Sequence, residues 1–202
     1  MSDDDDALMR AWVGGDAHAF EALYRRHQGA LYRFVRRVLG SALSAQADEV
    51  FQDTWSRVIQ ARERWAPQGA SFRTWLFTLA HHRAIDCLRK SGRELSVDEP
   101  EIAADDDGAA AEAWARWPAA DAAGPAEQAF WRAAGERLLR CLDGLPAAQR
   151  AAFLLHHEDG LSLDEVARAL DLGFETAKSR LRYAMHKLRH CMGAYLGTEG
   201  LA

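Results

Sequence analysis

The sequence predicts an all-α fold: two small helical domains joined by an acidic flexible linker. Three observations carry that prediction. Apolar residues recur at helical spacing through residues 7–92 and again through 128–192. Between them, residues 93–127 lose the period, gain Ala-rich runs with Trp117-Pro118 and Gly124-Pro125, and carry 10 Asp/Glu against 2 Lys/Arg. Finally, Leu161 to Arg189 reads as two helices about a tight turn, the pattern of a helix-turn-helix.

In chain order, residues 1–6 (MSDDDD) are read as an acidic, disordered start. They hold neither the basic nor the apolar region of a secretory signal, so a cytoplasmic location is expected. Ala7 to Val13 is a short helical pattern that Gly14-Gly15-Asp16 breaks before Ala17 restarts a longer helix. In that helix Phe20, Leu23, Tyr24, Leu31, Phe34, Val35 and Val38 form a core stripe, with Arg25, Arg26, Arg33, Arg36 and Arg37 outside it.

From Ala45 the next helix keeps Val50, Phe51, Thr54, Trp55, Val58 and Ile59 near one side and Asp48, Glu49, Gln52, Asp53 and Ser56 toward the other. Such a face is a solvated surface, or paired carboxylates for acid–base or metal chemistry. No His, Lys or Gly-rich loop stands at useful spacing to complete an active site. A loop after Trp65 leads to SFRTWLFTLAHHRAIDCLRK, which Ser71 caps and in which Leu76, Leu79, Ala80, Ile85 and Leu88 form the core stripe. Its aromatics, interleaved with Arg73, His81, His82, Arg83, Arg89 and Lys90, suit single-stranded DNA, where rings stack on bases and cations follow phosphates. Buried aromatics explain part of the same pattern.

After the linker, Glu127 to Leu142 returns to helix, and Leu145-Pro146 opens another. Leu138, Leu139, Leu142, Phe153, Leu154 and Leu155 are read as core. Ser162 and Glu165 form a capping box, and in Asp171-Leu172-Gly173 the glycine is expected to take the positive φ of the turn. In the last helix Ala177, Leu181, Ala184 and Leu188 make an apolar stripe opposite Lys178, Ser179, Arg182, Tyr183 and His186. That wet face is either a solvated basic surface or a reader of the major groove. Residues 193–202 are read as a tail.

The net charge of −5 is segregated. Residues 7–92 hold 13 Lys/Arg against 7 Asp/Glu, whereas 176–190 hold five basic residues and no acidic one. Two basic surfaces on an acidic tether suit a protein that meets DNA twice. Cys87, Cys141 and Cys191 are odd in number and widely spaced, so reduced thiols are expected. His186, His190 and Cys191 are weighed as metal ligands and read instead as surface residues; no metal or cofactor is expected. No apolar run is long enough to span a bilayer, and a soluble chain is expected.

Leu145, Pro146, Arg150, Phe153, Leu155, Gly160, Ser162, Glu165, Ala167, Leu170, Thr176, Lys178, Ser179, Arg180 and Leu181 together resemble region 4 of bacterial sigma factors of the extracytoplasmic-function type. GDAHAFEALYRRHQGALYRFVRRVL and SFRTWLF are similar to region 2 of the same subfamily. The resemblance implies a non-enzymatic initiation factor that binds core RNA polymerase at the β′ clamp and the β flap. Glu49, Val50, Gln52, Asp53 and Trp55 stand at the core-binding positions. Trp65, Phe72, Arg73, Thr74, Trp75, His82 and Arg83 stand at those that open and read the −10 element. Thr176, Lys178, Ser179, Arg180, Arg182, Tyr183 and His186 stand at those that read the −35 element.

It also implies an anti-sigma partner, no membrane contact, no obligate homo-oligomer, and a linker that threads polymerase's channels, with Trp114 and Trp117 as anchors. The sequence departs from the family at His82, Asp171 and Glu175, where asparagine and two glycines are common. Two other readings stand beside it: an ordinary helix-turn-helix regulator, which needs no aromatic stretch at 71–90, and a metal-dependent phosphodiesterase using Asp48, Glu49, Asp53 and nearby histidines.

Overall fold

The computed structural model describes residues 2–65, 70–92 and 124–199, which form helices and turns with no strand among them. The N-terminal half comprises α1 (Ser2–Val13), α2 (Ala17–Leu39), α3 (Ala47–Gln60) and α4 (Phe72–Lys90). The C-terminal half comprises α5 (Pro125–Asp143), α6 (Ala147–Phe153) with a π turn over Leu154–Glu158, α7 (Leu163–Ala169) and α8 (Phe174–Glu199). The expected linker, with Trp114 and Trp117, lies outside the described residues up to residue 123.

Glycine and short polar side chains set the first boundary. Gly15 takes φ 106, so that its N–H reaches the Trp12 carbonyl (2.9 Å) and the Asp16 N–H reaches that of Ala11 (3.1 Å). Asp16 then caps α2, its carboxylate accepting from the His18 N–H at 2.9 Å. Leu23, Leu31, Phe34, Val35 and Val38 of α2 meet Val50, Trp55 and Val58 of α3 and Leu76, Phe77 and Ala80 of α4 in one dry core. Phe34 and Phe77 meet edge to face at 5.2 Å.

The acidic start is helical rather than disordered. Asp5 is buried beside His27 (Nε2 to Oδ2 2.9 Å) and accepts from Arg26, while Asp6 accepts from the Phe72 N–H at 2.7 Å, at the start of α4. Carboxylates in a first helical turn are favoured by the positive end of the helix dipole, and α2 supplies the cations that make the burial of Asp5 tolerable. Burial still dominates His27, whose pKa falls despite Asp5.

In the C-terminal half α8 packs on α5, α6 and α7 around Leu142, Leu154, Leu155, Leu161, Val166, Ala184 and Leu188. Leu139, read as core, is instead 44% exposed. The capping box forms as expected, with the Ser162 hydroxyl accepting from the Glu165 N–H and the Glu165 carboxylate from the Ser162 N–H. The left-handed turn residue, however, is Asp171 at φ 55, not Gly173. It places the Asp171 N–H on the Arg168 carbonyl (3.2 Å) and the Leu172 N–H on that of Ala167 (2.9 Å), a Schellman closure of α7. The expected tail is helical as far as Glu199.

Cysteine pairing also departs from expectation. Cys141 at the end of α5 and Cys191 on α8 are disulfide-bonded, with Cα atoms 6.0 Å apart, leaving Cys87 as the free thiol. Their separation of 50 residues gave no sign that the two helices would meet there.

The two halves touch. α6 packs on α2, and α7 packs on α4. Arg37 and Arg33 both donate to the Glu158 carboxylate, the latter at 3.3 Å, and Arg73 donates to the Asp159 carbonyl. Arg150 donates to the carbonyls of Arg37 (3.2 Å) and Leu145 (3.3 Å) and to Asp143 (3.3 Å). Gly40 lies at this joint with φ 72, and a Cβ there would sit 2.5 Å from an Arg150 guanidinium nitrogen. Glycine is therefore required twice over, for backbone angle and for space.

Candidate nucleic-acid interface

The outward face of α3 carries one continuous line beside the exposed Asp48, Arg57 and Gln60. Glu49, Gln52, Ser56 and Ile59 follow one another at steps of three and four residues, all exposed, with Ile59 at 51%. The other expected contacts on this helix do other work. Val50 and Trp55 are buried in the core, Trp55 lying 4.9 Å from the Tyr24 ring and 5.9 Å from that of Phe20. Neither can meet a partner without unpacking the domain. Asp53 is half-buried, ion-paired with Arg83 of α4, and accepts from Arg57 (3.3 Å). A proposed polymerase contact and a proposed DNA contact are thus each other's partner, fixing α3 to α4. Asp48 accepts the Tyr32 hydroxyl hydrogen bond, which raises that phenol's pKa.

On α4, Ser71 caps the helix by accepting from the Thr74 N–H at 3.2 Å, as expected. This places Phe72 and Thr74 inward, both fully buried, which corrects their reading as base contacts. Trp75 and Trp65 remain half-buried against the core, and His82 is exposed. Arg73 lies 5.8 Å over the Phe77 ring while donating to Asp159. Arg83, half-buried, also faces Asp86 at 3.3 Å.

His81, read with the cations that would follow DNA phosphates, is instead a buried side chain. It is 7% exposed, and its Nδ1 is buried without a hydrogen-bond partner. Burial first, then His82, Arg180 and Arg89, push its pKa down to about 3.

Of the expected −35 positions on α8, Thr176, Lys178 and His186 are exposed, and Ser179, Arg180 and Arg182 are half-buried. Tyr183 is only 6% exposed and does not belong to the wet face. Because α8 packs on three helices, its apolar side is wide enough to include Tyr183 and Met185 beside Ala177, Ala184 and Leu188. Arg182 lies 5.6 Å over the Tyr183 ring. Among the described residues no group of three or more His, Cys, Asp or Glu stands close enough to hold a metal, and no helix is long and apolar enough to cross a membrane.

Comparisons with known proteins agree with this layout. The sigma-70 region 2 family model matches residues 23–94, and the sigma-70 region 4 model matches residues 135–188. The ECF RNA polymerase sigma factor SigK of Mycolicibacterium vanbaalenii is 32% identical over 197 residues, covering 93% of this chain and 89% of that protein. SigK of Mycobacterium tuberculosis (strain ATCC 25177 / H37Ra) is 30% identical over 194 residues, 95% of each chain. Among solved structures, CnrH in complex with the cytosolic domain of CnrY aligns with a TM-score of 0.63 at 22% identity, covering 95% of this chain and 98% of that one. The sigma factor RpoE in complex with the anti-sigma factor NepR from Bartonella quintana aligns with a TM-score of 0.56 at 23% identity, covering 86% and 96%. With helix-turn-helix, capped aromatic helix and both family regions in place along nearly its whole length, the chain belongs to the extracytoplasmic-function sigma factors of the sigma-70 family.

Proposed function

We propose that this sigma factor binds core RNA polymerase through the exposed line Glu49, Gln52, Ser56 and Ile59. Asp53 serves that face from behind by holding Arg83. His82, Trp75, Trp65 and Arg73 engage the opened −10 element, the rings offering stacking surface and the cation a phosphate contact. Thr176, Lys178, Ser179, Arg180, Arg182 and His186 face the −35 duplex. The observation that carries this reading is the match of both promoter-reading regions on one chain, each presenting exposed cationic or polar positions at the family's contact sites. Polymerase performs the chemistry, and the chain supplies position and a trap for melted bases. It works where polymerase and chromosome are, in the cytoplasm, and an anti-sigma factor is its expected regulator.

Run-off transcription with purified core polymerase on genomic promoter fragments tests the whole reading. Lys178→Ala is expected to weaken promoter use on all sequences alike and to reduce the salt dependence by about one charge, as a phosphate contact does. Core polymerase that gains no promoter-specific product from the wild-type chain would refute it.

A further inference from the structure

α1 is tied to both ends of the connection between α3 and α4. At the far end Asp6 accepts from the Phe72 N–H at 2.7 Å. Phe72 is the first residue of α4, and its N–H is one of the donors that a helix leaves without an internal partner. At the near end Arg62, in the short turn Arg62–Arg64 after α3, donates to the Val13 carbonyl at 3.4 Å and lies 5.6 Å over the Trp12 ring. The cation meets the negative end of the α1 dipole, as the Asp6 carboxylate meets the positive end of the α4 dipole.

Asp6 and Val13 stand seven residues apart on one helical stripe, so the rod between the two ties is about 10 Å long at 1.5 Å per residue. Packing holds that rod in place. Met9 and Trp12 are buried in the domain core, with Trp12 4.6 Å from the Phe20 ring, and buried Asp5, bound to His27 and Arg26, fixes the turn that carries Asp6. The residues held at either end carry expected −10 contacts. Trp65 follows the Arg62 turn, its N–H donating to the Arg62 carbonyl at 3.4 Å, and Arg73 and Trp75 stand in the first turn of α4. Rings that capture unpaired bases must be held to within about 0.5 Å by groups that do not themselves touch the ligand.

We propose that α1 is a strut that sets the separation and orientation of the two ends of the α3–α4 connection, with Asp6 as the positioning residue that aims Trp65, Arg73 and Trp75 at melted −10 bases. The consequence for DNA rests on the sigma reading, whereas the tie itself is a property of the free chain.

The test uses the full chain with Asp6→Ala, Asp6→Asn and Arg62→Met, and with Asp4→Ala as a control that removes an exposed carboxylate of the same acidic run. In the free chain, hydrogen exchange at the Phe72 amide is expected to quicken about tenfold in Asp6→Ala, the scale of one charge-assisted hydrogen bond. It is expected to stay near wild type in Asp4→Ala and in Asp6→Asn, whose amide oxygen still accepts. With core polymerase on a promoter fragment recovered by run-off transcription, permanganate reactivity over the −10 region is expected to fall severalfold in Asp6→Ala and discrimination among −10 variants to narrow, with core affinity and closed-complex binding unchanged; Asp6→Asn restores both. Arg62→Met is expected to lower opening to the same degree without changing the salt dependence of binding. A salt slope reduced by about one would make Arg62 a phosphate contact and overturn its part in the strut. Unchanged exchange at Phe72 in Asp6→Ala overturns the tie. Faster exchange with unchanged opening overturns the role in −10 capture, and so does a loss of core affinity and closed binding in step with opening, which is what plain destabilisation produces. Absence of opening by wild type would remove the sigma reading and leave the exchange result to decide the tie alone.

Discussion

Two residues with left-handed backbone carry opposite expectations. At Gly40 a methyl group meets the Arg150 guanidinium at 2.5 Å and the backbone φ is 72. Gly40→Ala is expected to destabilise by about 1–3 kcal/mol, the usual scale for a strained position, with part of the cost taken as displacement of Arg150 from Asp143 and the Arg37 carbonyl. Asp171 at φ 55 already bears the penalty of a side chain there, so Asp171→Gly is expected to be neutral or to stabilise by up to about 1 kcal/mol. Urea denaturation of the two variants beside wild type decides the signs; a destabilised Asp171→Gly would show that the carboxylate makes an interaction worth more than the strain. The same pair shows what residue-level reading can reach. Helical period located the turn at 171–173, and the preference of glycine for positive φ pointed to Gly173. The chain instead closes α7 one residue after Leu170, because the Schellman bonds to Ala167 and Arg168 fix the left-handed residue by distance from the helix end, whatever side chain stands there.

At the scale of one helix, α3 separates contact from support. Gln52 and Ile59 lie on the exposed line, whereas Trp55 packs among Phe20, Tyr24 and Phe51. Replacing Gln52 with Lys and Ile59 with Ser is expected to lower affinity for core polymerase tenfold or more, roughly 1.4 kcal/mol or above, with no loss of thermal stability. Trp55→Ala is expected to cost about 3–5 kcal/mol of stability and to lose polymerase binding only by unfolding. Pull-down with core polymerase alongside thermal melts distinguishes the two, and a full-strength pull-down by the Gln52/Ile59 variant would move the interface off this face. The helices themselves, the caps at Ser71 and Ser162 and the helix-turn-helix were legible because period and capping chemistry are local. Which motif residues face inward was not. A motif retains core and contact residues alike, so Val50, Trp55, Phe72, Thr74 and Tyr183 came with it as candidate contacts although packing claims all five. Ile59, placed near the apolar side, is instead 51% exposed, while its neighbour Val58 fills the core at that end of the helix.

The whole molecule adds what no local pattern contains, the seam between the halves, and its electrostatics yield the last prediction. Asp159 is buried at this seam, and its pKa is pushed up to about 7, by burial first and by neighbouring Glu158 next, against the opposing pull of Arg73, Arg33 and Arg37. A carboxyl group whose pKa is higher folded than unfolded holds its proton more tightly in the native state. Stability from this group is therefore complete at pH below its unfolded value of 3.8, falls as pH rises toward about 7, and is level above that. The shift corresponds to at most about 4 kcal/mol between those limits. His81 and His157, with pKa values pushed down to about 3 and about 4, chiefly by burial, slope the other way: stability rises with pH up to about 6.5 as their unfolded forms cease to be charged. In wild type the two effects mask one another across the acid range, so the raw pH profile is a poor witness. Asp159→Asn keeps shape and removes only the titrating proton, and the histidine contribution cancels in the difference. The stability of Asp159→Asn relative to wild type, measured by urea titration at pH 5 and pH 8, is expected to grow with pH. Because Asp159 also gives its backbone carbonyl to Arg73, which the substitution leaves in place, scattering at pH 8 is expected to show the variant still closed. A difference that does not change with pH would mean that the carboxyl group at the seam is ionised and solvated, and that the halves are already apart in the free protein.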